Sequence, residues 1–133
     1  MRYFPEQWYH AGCRKVAEYD CYFRSIADQL PPFFRDGYSL HDACITGWTF
    51  MEPYWERKDL ILELDTHQCL TKVRKLIFEN CETDEEKMFC KHWWLADEIM
   101  LDDKGYTLNL LLIDSNGDLS EASIHFSELT VHW

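Results

Sequence analysis

Few residues of this chain stand at spacings that chemistry would use. The first are His41 and Asp42, side by side in GYSLHDACITGWTF (Gly37 to Phe50), where a loop gives way to an apolar run with the character of a strand. A histidine beside a carboxylate is material for general acid–base chemistry. Neighbouring strand residues point to opposite faces, however, so the pair can touch only if the backbone turns there. The expectation is that Asp42 or His41 bonds backbone groups where the loop becomes a strand, so that the two organise the strand entry rather than act as a dyad. The competing reading is a small-molecule or hydrolase-type site that adds Asp97. Asp97 and Glu98 interrupt the apolar run WWLADEIML, and alternation puts Asp97 on one face with Trp93, Leu95, Ile99 and Leu101. A carboxylate so placed is either solvated or buried with a displaced pKa. No serine elbow, second carboxylate or glycine-rich loop stands at a spacing that would define a reaction.

Metal ligation has two candidate pairs, His67 with Cys69 in HQC and Cys90 with His92 in CKH, each placing two ligands on one side of a strand. Neither follows zinc-knuckle spacing, so no metal and no cofactor is expected. For partner binding, Tyr54 and Trp55 in MEPYWERKD fall at a hairpin tip, where exposed aromatic pairs make interaction hot spots. The acidic residues Glu82, Asp84, Glu85 and Glu86 form a second candidate contact.

These residues must be positioned by a small object. The 133 residues, with 47% hydrophobic and 16% aromatic content, support one core and hence a single domain over 1–133. With 24 acidic against 13 basic residues the formal charge is -11, which repels nucleic-acid backbones and attracts basic proteins. No stretch reaches the roughly 18 apolar residues of a membrane span, and the opening MRYFPEQWYH lacks the features of an export signal. The expectation is a cytoplasmic protein whose six cysteines (Cys13, Cys21, Cys44, Cys69, Cys81, Cys90) are buried, unpaired thiols.

Periodicity divides the chain into a helical segment, about 1–38, and a sheet, about 39–133. Trp8, Val16, Phe23 and Ile26 recur at helical spacing and predict one long helix from about Pro5 to Leu30, with Arg24 and Asp28 paired on its outer side. Pro31, Pro32 and Gly37 then interrupt it. The following period of two predicts strands at 43–51, 60–65, 72–80, 92–101, 106–114 and 120–126, with a short piece at 129–133. It draws apolar lines at Leu60, Leu62 and Leu64, at Tyr106, Leu108, Leu110 and Leu112, and at Ala122, Ile124 and Phe126, with hairpin turns at DDKG and DSNGD. Thr83 and Glu86 make a capping-box pattern, so 82–91 could instead hold a short helix. The predicted class is α+β: a long N-terminal helix packed on an antiparallel β-meander of about six to seven strands.

MRYFPEQWY, SLHDACITGW, the apolar KDLILELDT and HWWLADEIMLDDKGYTLNLLL together resemble an uncharacterised bacterial family. Its members begin Met-Lys/Arg-Tyr-Phe and carry Leu-His-Asp at a strand start. That resemblance brings no activity with it. In general style the chain is also similar to small acidic immunity proteins of bacterial toxin systems, which implies a neutraliser of a basic toxin. The expected function is therefore a non-enzymatic protein-binding module with an acidic surface and a basic protein partner, without nucleic acid or membrane.

Overall fold

A computed structural model describes residues 3–4, 15–54, 57–83 and 87–133, with backbone alone at 53–54. Seven antiparallel strands form one sheet: β1 (Cys44–Tyr54), β2 (Arg57–Asp65), β3 (Lys75–Glu79), β4 (His92–Asp102), β5 (Gly105–Ile113), β6 (Leu119–Phe126) and β7 (Glu128–His132). They follow α1 (Val16–Ile26), a 3-10 turn (Ala27–Gln29) and α2 (Pro32–Arg35). The α+β class and the strands agree with the periodicity. The helix does not: its described part is eleven residues, and the expected start at Pro5 lies outside the described residues. Val16, expected on the buried stripe, is exposed. Arg24 pairs with Asp20 at 2.9 Å rather than with Asp28, because the α-helix ends at Ile26 and Asp28 sits in the tighter turn. The described part of 82–91 contains no helix, and Thr83 Oγ1 donates instead to the Ser123 carbonyl at 2.6 Å.

The sheet is not a simple meander. Its order is β6-β5-β4-β1-β2-β3-β7, two three-stranded meanders joined where β4 pairs with β1, with β7 added beside β3. The outermost strands, β6 and β7, are separated in the chain by Ser127 alone. In a flat sheet of seven strands they would lie roughly 29 Å apart, whereas residues two apart cannot exceed about 7 Å. The sheet must therefore curl until its edges meet. Glu82, just beyond β3, pairs with His125 of β6, and Ser127 N–H donates to the Glu79 carbonyl at 3.0 Å. The result is a barrel that encloses its own core, with Phe78 against Phe126 at 5.0 Å. This is why no long helix is needed to cover an apolar face.

Strand alternation supplies that core. Leu60, Leu62 and Leu64 of β2, Leu108, Leu110 and Leu112 of β5, and Ala122, Ile124 and Phe126 of β6 all point inward and are buried. The seam between β1 and β4 stays open for most of its length, since only Cys44 and Ile45 pair with Trp93 and His92. The helical segment fills it. Tyr19 and Tyr22 of α1 accept the backbone N–H groups of Ile99 and Leu101 at 2.9 and 3.0 Å, satisfying donors that a strand would otherwise take. Ile26, Leu30, Phe33 and Phe34 complete the closure from the same side. Pro32 opens α2 at a position that needs no amide donor, and Gly37, at φ +76°, ends it.

Candidate functional site

Asp97 owes its position to a bulge in β4. The register against β5 shifts between Trp94 and Ala96, so Trp94 faces Leu112 and Asp97 faces Leu110. Cross-strand partners share a face, and Leu110 and Leu112 are core residues, so Asp97 points inward beside Trp94. This corrects the alternation that placed Asp97 with Trp93: one extra residue flips the assignment, and Trp93 lies exposed on the outer surface. Glu98 then faces outward, where it is fully buried. Its carboxylate accepts the backbone N–H groups of Tyr3 and Phe4 at 2.6 and 3.2 Å and the Asn109 amide at 3.2 Å.

Around Asp97 the open seam leaves a groove of about 250 Å³, walled by Tyr19, Phe23, Phe34, Tyr38, Ser39 and Ile99. Trp94 Nε1–H donates to Asp97 Oδ2 at 2.7 Å, and Oδ1 has no hydrogen-bond partner among the described residues. Oδ1 is not sealed in, because Trp48 Nε1 is the one fully enclosed side-chain polar atom without a partner among the described residues. Burial pushes the Asp97 carboxyl above its ordinary pKa, the Trp94 bond opposes this, and the neighbouring Glu98 adds to it. Burial likewise raises the Tyr19 phenol, so its hydroxyl stays neutral. The groove thus joins aromatic walls to a poorly solvated carboxyl with one oxygen free, and among the described residues no lysine, arginine or histidine lines it.

His41 and Asp42 lie elsewhere, in an exposed turn closed by Ala43 N–H on the Leu40 carbonyl at 2.9 Å. The backbone does turn here: Asp42 has φ +72°, which brings its Oδ1 to 3.4 Å from His41 Nε2. His41 Nδ1 bonds the Leu95 carbonyl at 2.8 Å, so the ring ties the turn to β4 through a backbone group. A carboxylate beside Nε2 occupies the nitrogen that a general base would need free. His41 does not line the Asp97 groove.

The metal candidates are not brought together. Cys69 Sγ reaches the His41 carbonyl at 3.3 Å, and His92 Nδ1 the Cys90 carbonyl at 3.0 Å. Among the described residues no group of three or more His, Cys, Asp or Glu is arranged to hold a metal ion. Five cysteines are described, all unpaired; Cys69 and Cys81 are buried, but Cys21 is exposed on α1. Tyr54 and Arg57 pair at the β1–β2 tip, while Trp55 and the side chain of Tyr54 lie outside the described residues, as do Asp84, Glu85 and Glu86. Glu82 is held by its backbone against His125.

Two features escaped the sequence. One is the pair of tyrosine hydroxyls on the seam, which a helical stripe does not distinguish from ordinary core. The other is Thr107, His125 and Asp102, gathered because Thr107 and His125 face each other across β5 and β6. Both Thr107 Oγ1, at 2.8 Å, and Asp102 Oδ2, at 3.4 Å, approach the same nitrogen, Nδ1. A proton relay needs them on opposite nitrogens, so this group does not activate a nucleophile.

Among the described residues no helix is long and apolar enough to cross a membrane. The model of a family described as protein of unknown function (DUF4085) matches residues 5–124. No curated protein and no solved structure matches the chain. The uncharacterised family expected from the motifs is thereby found, and nothing in these comparisons supports the looser likeness to immunity proteins.

Proposed function

We propose that this chain, which belongs to the DUF4085 family, is a non-enzymatic binding module whose Asp97 groove receives an arginine or lysine side chain of a basic protein partner. The observation that carries this reading is the free Oδ1 of Asp97 at the floor of an aromatic groove in which no basic side chain is found among the described residues. Ionised Asp97 has lost water and regained one indole donor, so a cation is the partner that its remaining oxygen lacks. Tyr19, Phe23, Phe34 and Tyr38 offer π faces to the same cation, a contact worth about 0.5 to 2 kcal/mol depending on its desolvation. The formal charge of -11 adds long-range attraction for a basic partner.

Trp94 is a built-in reporter, because its indole is bonded to Asp97. Titration with N-acetylarginine amide and N-acetyllysine amide should change tryptophan fluorescence saturably, and N-acetylleucine amide should not. Asp97→Asn, which keeps an acceptor for Trp94 but removes the charge, should abolish the response. Equal binding of the leucine amide, or undiminished binding by Asp97→Asn, would overturn the reading.

A further inference from the structure

The Asp97 groove does not end at Tyr38. That ring also lines a second groove of about 310 Å³, bounded by Pro31, Pro32 and Phe33 on one side and by Leu129, Val131 and Trp133 of the β7 end on the other. Trp133 in turn lines a third, of about 340 Å³, over the outer face of β2, β3 and β7. Tyr38 and Trp133 meet edge to face at 5.1 Å and are both exposed, so the three grooves share walls and form one track.

The chemistry changes along it. At one end is Asp97. The middle is apolar apart from Asp36, whose carboxylate has Arg35 at 3.7 Å. The far end holds Arg74, Lys75 and His132, with Glu63 as the one carboxylate side chain in its lining among the described residues. Strand register sets Lys75 directly between Glu63 of β2 and His132 of β7. Glu63 nevertheless leaves Lys75 unpaired, because its side chain lies over Gly47, where a Cβ would come within 2.7 Å of Glu63 Oε2. Among the described residues Lys75 makes no ion pair, and Arg74 uses Nε on the Trp133 carbonyl at 3.2 Å, which leaves its terminal nitrogens available. In a chain with 24 acidic and 13 basic residues, Arg74, Lys75 and His132 gathered at an exposed tryptophan outnumber the one carboxylate side chain described there, Glu63, which is turned over Gly47, and form a local anion site.

We infer that the ligand is a peptide segment carrying opposite charges. A basic side chain sits over Asp97, apolar residues lie on Tyr38 and Trp133, and a carboxylate reaches Lys75 and Arg74. This inference rests on the proposed reading of the Asp97 groove, which supplies one of its ends. The exposed aromatic rings and prolines suit an extended segment, since they present flat apolar surface without requiring the peptide to form a helix.

The test uses synthetic peptides, Arg-spacer-Asp with apolar spacers of graded length, and two controls in which Asp is replaced by Asn or Arg by Leu. Binding is read by calorimetry and tryptophan fluorescence. At the best spacer length the Asn control should bind wild-type protein about tenfold more weakly, equivalent to about 1.4 kcal/mol. Lys75→Gln, verified as folded by its melting transition, should bind the Asp and Asn peptides alike. If wild type fails to distinguish Asp from Asn, the second charged end is wrong while the Asp97 reading stands. If the Leu control binds as well as the parent and still depends on Lys75, the anion site stands and the Asp97 reading falls. No measurable binding of any peptide at any spacer length overturns both.

Discussion

The hydroxyl of Tyr19 accepts the Ile99 amide hydrogen at 2.9 Å, doing for β4 what a neighbouring strand does elsewhere in the sheet. Tyr22 repeats the contact one strand step further on, at Leu101. Two phenols thus stand in for a strand where β4 runs on past the start of β1. The Tyr19 ring lines the opening that contains Asp97, and Tyr3 packs on Tyr19 and Tyr22 at 5.1 and 6.0 Å.

Tyr19→Phe should leave the Ile99 N–H without a partner while preserving the ring. The expected loss is about 1 to 3 kcal/mol, the cost of an unsatisfied amide in a partly buried site. Urea denaturation checks the magnitude, and amide hydrogen exchange checks the location. Exchange at Ile99 should accelerate more than at core amides of β2. A variant with unchanged stability and exchange would show that water replaces the phenol without cost.

Asp97→Asn should raise stability at neutral pH. Burial lifts the folded-state pKa of Asp97 above its unfolded value, so the folded state favours the protonated form. That favourable contribution is complete below the unfolded pKa and is lost as pH rises through the folded one. At neutral pH folding of the wild type therefore has to bury a carboxylate or protonate it, either of which costs free energy, and the amide requires neither. The gain should shrink on acidification as wild-type Asp97 takes up its proton. Melting curves of both proteins across the acid range test this, and an advantage that grows on acidification would reverse the sign.

Asp42 is a test of backbone rather than side-chain control. Its φ of +72° is costly for most residues and free for glycine. Asp42→Ala should lose about 1 kcal/mol, whereas Asp42→Gly should match or exceed the wild type. Thermal denaturation of the pair decides the matter. If glycine were the worse substitution, the contact with His41 would outweigh the turn geometry.

Gly105 is the most constrained glycine among the described residues. It begins β5 at φ +147°, and a Cβ there would lie 2.5 Å from the Phe126 carbonyl oxygen, next to the Ser127 bend that links the two ends of the sheet. Backbone oxygen cannot move aside as a side chain can, so Gly105→Ala should cost about 2 kcal/mol or more. Gly117→Ala meets nothing within 4 Å and should lose only about 1 kcal/mol, from its positive φ. Chemical denaturation of both separates close approach from conformation alone.

Local patterns made the strands legible. The alternation of Leu60, Leu62 and Leu64 identified the inward face of β2, and the same rule worked for β5 and β6, because regular pairing preserves a period of two. The turns were equally plain. Asp114 in DSNGD accepts the backbone N–H groups of Asn116 and Asp118 at 2.8 and 3.0 Å, and Gly117 takes the positive φ that the turn requires. At β4 the rule failed by one residue, since an extra residue on one strand is set by the partner's hydrogen bonds and leaves no mark in the run WWLADEIML.

By itself, the amino-acid order determined the class, the seven strands, the hairpin turns and the polar, backbone-bonded character of the Leu-His-Asp turn. All of these depend on neighbours a few positions away. The closing of the sheet depends on partners far apart in the chain: β1 with β4, β3 with β7, and Glu82 with His125. So does the fate of two adjacent carboxylates. Asp97 and Glu98 look equivalent in sequence, yet one faces a groove and the other is sealed beneath Tyr3 and Phe4. Only tertiary structure could separate them, because the bulge that turns one inward and the seam that opens above it arise from strand pairing, which no local window contains.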